Sequence, residues 1–279
     1  MRKVLGSFVL AVMLTAMLAA MLAAISGRAL AADMGVPYKA PPSYAPSYTA
    51  PFSWTGAYVG ANLGGIWGTF DVNPATTDNL TGAVGLPGSA SINNSSLIGG
   101  FQAGYNWQIG MWVLGLEQDY QFTGLKQTDA FGTPAGLFLP GDSIQVKTDY
   151  LGATRAKVGL AWERAMVYAA GGLETGMFDV TSSYVSRGAG GSPAQSFTDT
   201  NKLHFGFNVG AGVEFAVTNN IFIGAEYRYI DLGRETYNLG AFTPSGLPAQ
   251  TVSSTVNLTA SQVTARLNIK LGGLGLFGM

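Results

Sequence analysis

The ionisable side chains that could do chemistry come in short-range sets: Glu117 with Asp119, Arg155 with Lys157, Glu226 with Arg228, and Arg266 near Lys270, joined by Glu174 and Glu214. Residues two apart share one face of an extended chain. Acids and bases gathered on one face can pass protons or can pair and neutralise one another. The acids and bases in this set balance, and a buried charge needs a partner, so a salt-bridged network is the expected outcome. His204 is the only histidine. It has the chemistry of a metal ligand, a haem ligand or a base, and the plainer reading is a polar side chain on the same face. The chain has no cysteine, which removes disulfides, thiol catalysis and cysteine-based metal sites. A serine–histidine–acid set cannot be argued without geometry. The Gly-Ala-Gly at 210–212 has no helix after it and so fails as a dinucleotide loop. No enzyme, cofactor or metal site is therefore expected, and a net charge of −1 gives no pull toward nucleic acid.

The elements that must hold these residues are strands. Apolar residues alternate with small or polar ones over about 54–70, 97–108, 111–124, 148–162, 166–180, 202–217, 221–234 and 258–271. Each stretch can supply the 9–11 residues that a tilted membrane strand needs. The links between them alternate. Three are tight: Ile-Gly at 109–110, Glu-Arg-Ala at 163–165 and Thr-Asn-Asn at 218–220. The others are long and rich in Gly, Pro, Ser, Thr and Asn. An even strand count with strictly alternating long and short links predicts an eight-stranded antiparallel up-and-down transmembrane β-barrel.

One face of each strand is apolar, and the other carries the ionisable set. Trp107, Trp112 and Trp162 lie beside the tight turns and Trp54 opens the first strand, so all four are expected in one interfacial aromatic girdle. The apolar face then meets lipid and the charged face points inward. An eight-stranded barrel is just wide enough for side chains to fill it. The expected lumen is packed and holds Glu117, Asp119, Arg155, Lys157, Glu174, Glu214, Glu226, Arg228, Arg266 and Lys270 as an ion-pair network, with His204 near the outer rim. In "HFGFNVGAGVEFAV" (204–217) the glycines give clearance inside, and the phenylalanines and valines face lipid.

Arg2 and Lys3 precede an uncharged apolar run, and Ala29-Leu30-Ala31 forms a small-x-small cleavage site, so residues 1–31 read as a secretory signal peptide. Residues 32–53 are rich in proline, tyrosine and serine and read as an extended periplasmic leader. The barrel is expected over 54–271, followed by a short tail over 272–279.

"FSWTGAYVGANLGGIWG" (52–68), after a signal peptide and a Pro-rich leader, resembles the opening of the small alphaproteobacterial outer-membrane barrels of the RopB type, a family that includes porin-like and haemin-binding surface proteins. "IGAEYRYIDLG" (223–233) is similar to that family's penultimate strand. The resemblance implies a cell outer membrane location, contacts with the bilayer and lipopolysaccharide, insertion by the outer-membrane assembly machinery, and a monomer. Members usually end the last strand on an aromatic residue; here Leu271 takes that place. The expected role is structural or at the surface. The alternatives are a narrow diffusion pore, a haem- or partner-binding surface protein using the long loops, and a soluble lipocalin-like barrel.

Overall fold

The computed structural model describes residues 52–82, 84–85, 90–130 and 138–271. The signal peptide with its cleavage residues Ala29 and Ala31, nearly all of the leader, and the tail over 272–279 lie outside the described residues. Eight long strands form the molecule: β1 (Gly56–Asp78), β2 (Ala90–Ile109), β3 (Trp112–Ala130), β4 (Ser143–Trp162), β5 (Ala165–Tyr184), β6 (Gln195–Ala216), β7 (Ile221–Phe242) and β8 (Gln250–Lys270). Every neighbour is antiparallel, and the pairing of β1 with β8, from Tyr58↔Lys270 to Asp78↔Gln250, closes the ring. Val84–Gly85 adds a two-residue ladder to the upper end of β1.

The tight links sit at one end. Gly110, at φ +62°, makes the turn between β2 and β3, a left-handed conformation that suits glycine. The other end carries the longer links. These are shorter than the sequence suggests, because the strands run well beyond the expected ends. β8 begins at Gln250 rather than 258, and β7 runs to Phe242 rather than 234. On β8 the added residues alternate as strictly as the rest but with polar Thr, Ser and Asn outward, which reads as loop composition in a sequence. On β7 register shifts between Asp231 and Arg234 and between Asn238 and Ala241 break the alternation.

Each strand changes character part-way along. Near the tight turns the outside is apolar and exposed, as at Leu63, Trp67, Leu97, Phe101, Val213 and Leu267, and the inside is polar. Toward the long links the inside becomes apolar and the outside polar. On β8 the inward series is Val252, Val256, Leu258 and Ala260, then Gln262, Thr264, Arg266 and Asn268. The outward series switches at the same level, from Thr255, Asn257 and Thr259 to Val263, Leu267 and Ile269. One strand thus carries two outer surfaces, apolar over the lower half and polar over the upper half.

The upper half is not a round barrel. Between β2 and β3 the ladder ends at Ile98↔Thr123, and between β6 and β7 it ends at Phe207↔Asp231. The remaining ladders continue upward, for example to Val72↔Ala90, Ala130↔Ser143 and Tyr184↔Gln195. The ring therefore opens along two seams into facing sheets, β7-β8-β1-β2 and β3-β4-β5-β6. Their inner faces meet in a dry core that includes Phe70, Val72, Phe178, Val180, Leu239 and Val256, with Phe70 edge-on to Phe178 at 6.3 Å between centroids. This is sandwich packing.

Side chains close the seams where backbone pairing stops. Across the first, Asn94 Nδ2 donates to Lys126 O at 2.6 Å. Across the second, Lys202 Nζ donates to Thr236 O, and the Ser182 and Tyr184 hydroxyls both donate to Leu239 O at 2.9 Å.

Candidate functional site

The lower lumen holds the charged side chains, each delivered by the inward parity of its strand. β3 brings Glu117 and Asp119, β4 brings Arg155 and Lys157, β5 brings Glu174, β6 brings Glu214, β7 brings Glu226 and Arg228, and β8 brings Arg266. All are buried. Arg155 is the hub on one side, bonded to Glu117, to Glu226 Oε1 at 2.7 Å and near Asp119 Oδ2 at 3.4 Å. Arg266 bridges the same two glutamates, with Nη1 at 2.5 Å from Glu226 Oε2 and Nη2 on Glu117. Arg228 forks onto Asp119, at 2.7 and 3.2 Å, and reaches Glu226 at 3.2 Å. The planar guanidinium fork suits such bidentate pairing. Lys157 Nζ stands 3.4 Å from Glu214 Oε2, between the rings of Tyr58 and Tyr168 at 5.2 and 4.7 Å.

Two tyrosines that the sequence reading did not single out complete the lattice. Tyr58 OH donates to Glu117 at 2.6 Å, and Tyr168 OH donates to Glu226 at 2.7 Å. Both lie at inward parity, on β1 and β5, and the alternation that placed the charges also marks them. Beside the ions runs an amide chain: Gln121 Nε2 donates to Asn62, Asn62 Nδ2 to Gln102, and Gln102 Nε2 to Asn268, at 2.8, 2.6 and 2.8 Å.

Two expected members sit elsewhere. Lys270 is not in the lattice. It is the last residue of β8, half-buried at the tight-turn end, with its aliphatic stem over Gly56, 2.8 Å from where a Cβ would stand. Two inward steps separate it from Arg266, with Asn268 between them, and the strand ends there. Trp54 is not in the outer girdle. It is 2 % exposed and packs edge-on against inward Phe222 at 5.5 Å, while its backbone N–H donates to Gln108 Oε1 at 2.8 Å. It precedes β1, so strand parity does not govern it, and it tucks under the lumen with Tyr58 and Phe222 as a floor. Trp107, Trp112 and Trp162 are exposed on the outer wall near the tight turns.

Glu174 is the outlier of the cluster. Its nearest base is Arg228 Nη1 at 3.8 Å, and the Asn208 side chain stands against its carboxyl group. His204 lies higher, fully buried where the β6–β7 ladder ends. Its Nε2 is 2.7 Å from Tyr237 OH, and its ring lies 4.3 Å from that of Phe178. No group of three or more His, Cys, Asp or Glu side chains suited to a metal is found among the described residues.

At the upper end, Asp142 ties the long links together. Its carboxylate accepts from the backbone N–H groups of Leu139 and Val185 at 2.9 Å each and pairs with Arg187 Nη2 at 2.7 Å. The Arg187 guanidinium rests on the Phe242 ring at 4.1 Å. Nothing in the sequence spacing signals this knot, because its partners come from separate links.

Comparison with known proteins follows the same architecture. The family model of the outer membrane protein beta-barrel domain matches residues 15–265. The chain is 36 % identical over 151 residues to the 31 kDa outer-membrane immunogenic protein of Brucella melitensis, covering 53 % of this chain and 59 % of that protein. It is 32 % identical over 142 residues to the 22 kDa outer membrane protein of Rhizobium leguminosarum bv. viciae, covering 50 % and 56 %. The chain thus spans little more than half the length of the curated relatives it matches. Among solved structures, Neisserial surface protein A aligns with a TM-score of 0.35 and 15 % identity, over 78 % of this chain and 98 % of that one.

Proposed function

Because the chain belongs to the outer membrane protein beta-barrel domain family, we propose that it is a non-conducting barrel of the cell outer membrane that holds a folded β-sandwich above the bilayer. One observation carries the reading. Side chains fill the inside at every level: the Trp54–Phe222–Tyr58 floor, the ion-pair lattice, then the dry core. A diffusion pore needs a continuous aqueous path, and a lattice of charge-assisted bonds supported by tyrosines favours a plug. The name of the Brucella relative, outer-membrane immunogenic protein, fits a part presented outside the cell, and the sandwich with its long links is the candidate for it.

The apolar outer wall of the lower half is the lipid contact in this reading. Trp107, Trp112 and Trp162 form its inner aromatic girdle, and Trp67, Phe122 and Phe205 lie toward the outer one. Lipopolysaccharide around the upper wall, insertion by the assembly machinery, a monomeric state, and export through residues 1–31 with cleavage after Ala31 complete the proposal. A haem-binding role finds no support at His204, which is buried against Tyr237 and Phe178.

Planar-bilayer recording of the refolded full chain is the test. The expected result is a silent bilayer; large, stable openings would defeat the plug.

A further inference from the structure

Polar side chains interrupt the apolar outer wall of the lower half where β3 and β4 meet. There Gln118 and Thr154 face outward as a directly opposed register pair. Gln118 lies six residues above Trp112 and four below Phe122 on β3, inside the apolar span. Its Nε2 donates to the Tyr120 hydroxyl at 2.6 Å. Among the described residues no donor reaches Gln118 Oε1, and nothing bonds the exposed Thr154 hydroxyl.

Two tyrosines beside this pair are turned against the usual direction. Interfacial tyrosines set their hydroxyls toward headgroups and water. Tyr227 does so: its hydroxyl meets Ser261 Oγ at 3.0 Å, above its register partner Val263. Tyr120 instead reaches toward Gln118. Tyr150 folds over Gly152 and bonds Thr175 Oγ1, which donates to Gly152 O at 3.0 Å. The two rings stack at 6.1 Å between centroids. Both hydroxyls thus point toward the tight-turn end, into the apolar band. Small neighbours, Ala103 opposite Gln118 and Ala156 next along from Thr154, keep the approach from outside open.

An amide in hydrocarbon costs free energy unless it is bonded, so the patch calls for a partner from the lipid side. The required chemistry is specific. Gln118 Oε1 needs a hydrogen-bond donor, and the ester carbonyls of glycerolipids only accept. An N–H or O–H where the acyl chains leave the headgroup can serve Gln118 and Thr154 together. We propose that this patch seats one outer-leaflet lipid that bears an amide or hydroxyl at the top of its acyl chains. The inference rests on the lower wall meeting lipid, which arginine placement at Val213 tests on its own.

Sphingomyelin is the probe. It shares the phosphocholine headgroup of phosphatidylcholine but carries an amide and a hydroxyl at the top of its chains. The full chain is refolded in micelles that hold equal amounts of the two lipids, and the lipid it retains is identified by native mass spectrometry. Sphingomyelin is expected to exceed phosphatidylcholine roughly tenfold, the scale of one or two hydrogen bonds to an otherwise unpaired group. Gln118→Leu and Thr154→Val are each expected to lower that preference and together to abolish it. Equal retention of both lipids by the native chain overturns the inference, and so does a preference that survives the double variant. Gln118→Cys gives the chain its one thiol. Disulfide-linked dimers of that variant in lipid vesicles would show a second copy covering the patch and would also overturn it.

Discussion

The phenolic end of Tyr168 lies over Gly212 on the neighbouring strand, so close that a Cβ there would stand 2.5 Å from the phenolic oxygen. The two face each other as a register pair of β5 and β6. That clearance lets Tyr168 reach Glu226. Gly212→Ala is expected to push the ring away and to destabilise the folded barrel by about 1–3 kcal/mol, the usual cost of overpacking. Urea titration in micelles, read by tryptophan fluorescence, measures it; an unchanged midpoint would remove Gly212 from the lattice's design.

Glu226 and Glu174 are predicted to differ sharply. Glu226 takes bonds from Arg155, Arg228, Arg266 and Tyr168. Glu226→Gln leaves three guanidinium groups short of charge, and breaking a buried pair in this way costs roughly 3–5 kcal/mol. Glu174→Gln, lacking those bonds, is expected to cost little. The same urea titration compares the two, and equal losses would contradict the geometry.

The change of medium along each strand is testable by arginine placement. Val213 is exposed on the lower outer wall and Thr255 lies on the upper outer wall. Val213→Arg is expected to cost about 2–4 kcal/mol if it meets the bilayer interior. Thr255→Arg, in water, is expected to stay within about 0.5 kcal/mol. Folding into lipid vesicles, rather than micelles, makes the comparison, and a Thr255→Arg penalty as large as that of Val213→Arg would place the upper wall in lipid.

The β6–β7 seam lacks a backbone ladder above Phe207↔Asp231. Amide groups of 197–205 on the side facing β7 should therefore exchange with solvent faster than those of 207–215 on the same strand. Hydrogen exchange followed by mass spectrometry of peptic fragments gives the answer, and uniform protection along β6 would mean the seam is paired in solution.

Alkaline conditions should loosen the same seam. Burial pushes the Tyr184 phenol up to about 12, above its ordinary value near 10. The folded chain thus holds this proton where the unfolded chain has lost it. Its contribution is complete below about pH 10 and is lost as pH rises through the folded value. The hydroxyl bonded to Leu239 O closes β5 onto β7. Tyr184→Phe is expected to flatten the decline between those limits, followed by unfolding midpoints at stepped pH.

Much of this was legible in the residues. Alternation with tight turns fixes eight strands, and inward parity names the side chains of the lattice. What alternation cannot convey is height. Val252, Val256 and Leu258 look like an apolar face that continues below, yet the face they share with Arg266 has changed from polar to dry. Serine and threonine on the outside of β8 then pass for a loop. Lys270 has the parity of a lattice member and lacks only depth. Trp54 precedes the first ladder pair, where parity no longer applies. The departure of β6 from β7 is a property of register between distant residues, and no local spacing records it.

The strands that close the ring have a consequence for how the molecule comes together. β8 supplies Arg266 to the lattice and Val252, Val256 and Leu258 to the dry core, and it joins β1 along both halves. Before that last ladder zips, Glu117 and Glu226 lack one of their cations and the upper core lacks a wall. Such a half-closed sheet would strand charge in a greasy surrounding and oil in water at once. Assembly should therefore be all-or-none, with lower barrel and upper sandwich appearing together, because contacts this remote along the chain reward the polymer only when the loop is complete.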